Sequence, residues 1–70
     1  MVLKIYQVFG KVDIFEPYYG CLMLEGAEVK AASKEYAKVV LATKISFKFN
    51  MKYDFVIRRI NNAKLIIKEK

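Results

Sequence analysis

Lysines spaced through an aromatic run offer this chain one chemistry above others, the neutralisation of phosphates. In "KISFKFNMKYDFVI" (44–57), Lys44, Lys48 and Lys52 recur at every fourth position, on the parity opposite Ile45, Phe47, Phe49, Met51, Tyr53, Phe55 and Ile57. Period two is the mark of extended chain with one apolar and one basic side. At ~3.3 Å per residue the three ammonium groups would stand about 13 Å apart, roughly two nucleotides of backbone. Lys34 and Lys38 lie one helical turn apart, with Lys30 just before them, and could reach successive phosphates or form an ordinary solvated face. Arg58, Arg59, Lys64 and Lys68 extend the basic set toward the C-terminus. Phe47 and Phe49 are its aromatic members, suited to stacking on bases or wedging against a neighbouring protein, whereas Tyr53 is expected in the core.

Other chemistries are poorly served. There is no histidine, the usual proton shuttle near neutral pH. Asp13 with Glu16 and Glu25 with Glu28 read as solvated charges beside a turn and strand rather than a catalytic pair. Gly10, Gly20 and Gly26 are too widely spaced for a phosphate-binding loop, and no glycine-lysine-serine/threonine follows them. Cys21 is the one cysteine, so an internal disulfide is impossible, and without histidine a zinc site is not expected. The reading is of a protein that is not an enzyme, with no cofactor, no metal and no small-molecule substrate.

The charge is one-sided. Residues 1–29 carry two lysines against four carboxylates, a balance of −2, and residues 30–70 carry eleven Lys/Arg against three carboxylates, a balance of +8. Such an excess favours polyanions, whose counterions it releases. No apolar run approaches the ~20 residues of a membrane span, and a signal-peptide pattern is missing, so a soluble, cytoplasmic protein with no membrane contact is expected. Seventy residues make a single domain near the lower size limit for a self-sufficient core, which directs attention to a partner.

The elements that would position these residues follow from period and punctuation. "VLKIYQVFGKVDIF" (2–15) reads as a strand, with Gly10 marking a bulge or close backbone approach. Residues 16–20, "EPYYG", read as a turn, and 21–32 as a second, antiparallel strand bent at Gly26. Ser33 is a good N-cap and Glu35 suits the first turn of a helix over about 34–44, with Tyr36, Ala37, Val40 and Leu41 as its apolar face. A basic, aromatic arm should follow, then a strand over 52–60, an Asn61-Asn62 type I′ turn and a strand over 63–68. The expected fold is a small two-layer α+β domain over 1–70, β-β-α-β-β, with an antiparallel four-stranded sheet and one helix on one face. In that hairpin Arg59 would face Lys64, and like charges directly opposite call for an anion between them. The sheet face left bare by the helix would then await a polyanion.

Four features resemble the archaeal large-subunit ribosomal protein LX family. "KIYQVFG" is similar to its first strand, "EVKAAS" (28–33) to its second strand entering a capped helix, and "VIRRI" (56–60) to its third strand; the distance from first strand to cap also fits. The resemblance spans residues 4–60. It implies a structural, non-catalytic domain on the ribosome, docked on large-subunit ribosomal RNA beside neighbouring ribosomal proteins. Two other classes remain open: a small protein–protein adaptor or homodimer using the open sheet face, and a DNA-binding β-ribbon dimer. Co-sedimentation with large subunits at high salt separates the first class from the others.

Overall fold

The computed structural model describes residues 2–14 and 21–70. Along them run β1 (Lys4–Val12), β2 (Leu22–Ala31), α1 (Lys34–Lys48), α2 (Tyr53–Asn62) and β3 (Ile66–Glu69). The three strands form an antiparallel sheet in the order β2-β1-β3. This α+β arrangement of three strands and two helices corrects the expected four-stranded sheet with one helix. Residues 52–60, expected as a strand, fall mostly in α2, and Asn61-Asn62 end that helix instead of forming a type I′ turn. The final strand therefore has no hairpin partner before it and pairs with β1 instead. The expected turn at 16–20 lies outside the described residues.

Alternation along β1 decides which face is covered. Tyr6, Val8 and Val12 are buried, while Ile5, Gln7, Phe9 and Lys11 point the other way. On β2 one parity cannot serve throughout, because Leu24 is buried and so are Val29 and Ala31. The register slips between Val8, opposite Ala27, and Phe9, opposite Glu25. Gly26, at φ 85°, is the extra residue, and this bulge restores both ends of β2 to the core side. Gly10 has a different duty. Its φ is 140°, and a Cβ there would lie 2.7 Å from Leu65 Cδ2 and 3.1 Å from the Lys64 carbonyl oxygen. Its missing side chain lets the α2–β3 connection pass close to β1.

α1 starts where expected. Ser33 is the N-cap and its Oγ accepts from the Tyr36 backbone N–H at 3.2 Å, with Glu35 in the first turn. Ala37, Leu41, Ala42 and Ile45 are buried at i, i+4, i+5 and i+8, against the sheet residues of the same core. Tyr36, expected on that face, is exposed, and the helix continues past Lys44 because Ile45 prolongs its buried stripe. It ends in a Schellman arrangement: Asn50 takes φ 53°, Asn50 N–H donates to Phe47 and Met51 N–H to Ser46.

α2 has no side-chain cap; Lys52 supplies only backbone at its N-terminus, and Asp54 sits in the first turn. It depends on packing rather than propensity. Val56 and Ile60, one turn apart, are fully buried, and each such side chain contributes about 1.5–3 kcal/mol by leaving water. Both helices thus share one core on one face of the sheet, and the opposite face is left without a covering element among the described residues.

Candidate nucleic-acid interface

The bare sheet face is where the basic and aromatic residues of β1 and β3 meet. Phe9 lies opposite Ile66, and Gln7 opposite Lys68. Phe9 is half-buried, its ring against Gly26, while Ile66 is largely exposed. Lys68 brings its Nζ to 5.8 Å from the Phe9 ring centroid, a cation held over a half-buried aromatic ring.

At the end of this face, beside Lys11, the chain forms a cleft of about 290 Å³ lined by Lys11, Asp13, Arg59, Asn62, Ala63 and Lys64. Three separate segments supply its cations: β1 gives Lys11, the last turn of α2 gives Arg59, and the α2–β3 connection gives Lys64. Arg59 lies one helical turn from Phe55 and stacks on that ring at 5.1 Å, which orients its guanidinium. Asp13 is the single carboxylate among the described lining residues. Among the described lining residues the cations outnumber the carboxylates, a balance that suits an anion, and the Asn62 amide adds both donor and acceptor.

Of the expected site residues, the structure brings Lys30 and Lys68 to the bare face and Arg59 and Lys64 to the adjoining cleft. Arg59 and Lys64 share the cleft, but not as cross-strand neighbours, since Arg59 is helical. The expected basic row does not form: Lys44 and Lys48 lie one turn apart on α1, only ~6 Å along the axis, and Lys52 precedes α2. Lys44 Nζ reaches the Glu28 carbonyl at 3.4 Å, and Lys48 Nζ lies 5.7 Å from the Phe49 ring. Lys34 and Lys38 keep their one-turn spacing on α1, Lys30 is exposed on β2 and Arg58 is exposed on α2. The arm proposed for Phe47 and Phe49 is the end of α1. Phe47 projects into solvent at 84% exposure, but Phe49, the C-cap, packs against the core.

Phe9, Lys11 and Gln7 were not among the expected residues. Their signal was present in the parity of β1, which sets them opposite Tyr6, Val8 and Val12. Lys11 belongs to the acidic first part of the sequence, and only the fold sets it beside Lys64 in the cleft.

Among the described residues no group of three or more Cys, Asp or Glu gathers as metal ligands, and no helix is long and apolar enough to cross a membrane. Compared with protein-family models, curated proteins and solved structures, the chain gives no match.

Proposed function

We propose that this protein is a structural, non-catalytic RNA-binding domain that docks through its bare sheet face and the adjoining cationic cleft. The observation that carries this reading is the cationic cleft of Lys11, Arg59 and Lys64, continuous along β1 with the half-buried Phe9 ring and its Lys68. In this mode a base stacks on Phe9 while the cleft takes a phosphate, and the released counterions supply a salt-sensitive part of the affinity. Residues 30–70, with their balance of +8, steer the encounter at longer range.

The resemblance of residues 4–60 to the LX family suggests the RNA in question, large-subunit ribosomal RNA, with neighbouring ribosomal proteins as further partners and the cytoplasm as location. Its support now rests on the first strand and on the second strand entering the Ser33-capped helix. "VIRRI", equated with the family's third strand, lies in α2 and no longer contributes.

The test is binding of a labelled structured RNA across a salt titration, with Lys11→Gln and Lys64→Gln beside the unaltered chain. Each lost phosphate contact should reduce the log–log salt slope by about 0.7–0.9. Co-sedimentation with large ribosomal subunits in high salt tests the specific target. A salt-independent affinity, or slopes that ignore both substitutions, would remove the cleft from the interface.

A further inference from the structure

The long free edge of β2 carries a sequence that is complementary to itself. Residues 27–31 read "AEVKA", with small apolar residues on either side of Val29, and Glu28 and Lys30 at equal distances from it. Ala27, Val29 and Ala31 face the helices, whereas Glu28 and Lys30 are exposed on the bare face. Among the described residues β2 is a terminal strand of the sheet, with β1 on one side only. Lys44 Nζ donates to the Glu28 carbonyl, so that carbonyl points away from β1. Alternation then places the N–H and C=O groups of Lys30 on the same free edge.

We infer that a second copy of this chain pairs with β2 in antiparallel fashion about a two-fold axis at Val29. In that register Glu28 of each copy lies opposite Lys30 of the other, and each such pair exchanges both backbone N–H···O bonds. Two cross-strand ion pairs form on the outer face, while Val29 of each copy, on the axis, stays buried in its own core. The sheet becomes six strands in one continuous order, and an edge that would otherwise invite aggregation is closed. Small side chains at Ala27 and Ala31 leave room for the approach of the two inner faces.

α1 reaches the same edge through Val40 and Lys44. A groove of about 440 Å³ runs along this edge, lined by Val29, Lys30, Val40 and Lys44. Lys44 is a flexible, exposed side chain over one carbonyl and swings aside. The Lys70 ammonium, paired with the Glu28 carboxylate, adds a second cation on the outer face. A second copy fits the edge better than an arbitrary strand because its charges match only in this register.

Sedimentation equilibrium of the full chain, with charge variants, tests this arrangement. The unaltered protein should sediment at twice its 8.2 kDa chain mass. Glu28→Lys alone sets lysine against lysine, and Lys30→Glu alone sets glutamate against glutamate, and each should weaken dimerisation on the order of 100-fold. Mixing the two variants should restore a dimer, now a heterodimer, because each chain then meets opposite charges. That rescue also excludes misfolding as the cause of the single losses. An unaltered chain that stays monomeric at several hundred micromolar would overturn the inference and leave the edge to a peptide of another protein. Single variants that still dimerise, or a mixture that stays monomeric, would overturn the Val29-centred pairing.

Discussion

Met51 donates its backbone N–H to the Ser46 carbonyl across 2.9 Å, closing α1 over a residue, Asn50, whose φ is 53°. Those two facts separate one continuous amphipathic run into two helices. The bond satisfies a carbonyl that the end of the helix would otherwise orphan, and the left-handed turn aims α2 back along the same core.

Asn50 is therefore expected to be sensitive to substitution in a way that depends on backbone rather than contacts. Asn50→Ala should destabilise by about 1 kcal/mol, since an ordinary L residue in the left-handed region costs ~1–2 kcal/mol and asparagine somewhat less. Asn50→Gly should be neutral or stabilising. Thermal melts decide the matter, as about 1 kcal/mol moves the midpoint of a domain this size by ~4–8 °C. An Asn50→Ala protein as stable as the parent would mean that this turn is not held as described.

The same stretch explains what could and could not be read from the sequence. Ser33 as a cap, the β1–β2 pairing and the kink at Gly26 were legible because each depends on local chemistry. Residues 44–57 were not, because every period-two pattern also contains i, i+4 pairs. Ile45 with Phe49 and Met51 with Phe55 satisfy a helix as well as a strand. The deciding residues were Val56 and Ile60, one helical turn apart on the parity opposite to most of the aromatics and fully buried. Local preference gave no reason to favour them over Phe47, which the structure leaves in solvent. Tertiary packing chose. The cationic cleft was half legible for a related reason: Arg59 and Lys64 are close in sequence, while Lys11 arrives only through sheet topology.

Phe47 and Phe49 should now separate in a mutational test. Phe47→Ala should change stability by no more than ~0.5 kcal/mol, as for other exposed positions. Phe49→Ala should cost about 1–3 kcal/mol, below the ~3–5 of a fully buried phenylalanine because its ring is only partly covered. Urea unfolding of the two single variants gives both values. Equal midpoints would place both rings in one environment.

Gly10→Ala should be damaging for two independent reasons. The new methyl would meet Leu65 Cδ2 at 2.7 Å and the Lys64 carbonyl oxygen at 3.1 Å, and a φ of 140° is strained for alanine. A loss of about 1–3 kcal/mol is expected. Adding Leu65→Ala removes the side-chain clash but leaves both the carbonyl and the strain, so it should not restore the melting temperature. Recovery in the double variant would locate the whole penalty in Leu65.

Phe9 gives the sharpest separation of fold from binding. Its half-buried ring covers Gly26 and carries the Lys68 ammonium, so leucine can replace much of its packing while removing its π-surface. Phe9→Leu should cost the isolated domain less than ~1.5 kcal/mol, as volume-conserving apolar exchanges do. The same change should weaken RNA binding by ~1–3 kcal/mol, the worth of one base stacked on an aromatic side chain, or roughly 5- to 150-fold. Lys68→Gln should instead act mainly through salt, lowering the slope by about 0.7–0.9 if its ammonium meets a phosphate. Anisotropy titrations of both variants against one structured RNA, with melts of the free proteins, measure the two effects separately. If Phe9→Leu binds RNA as tightly as the parent, no base stacks on this ring and the bare sheet face is not where the RNA lies.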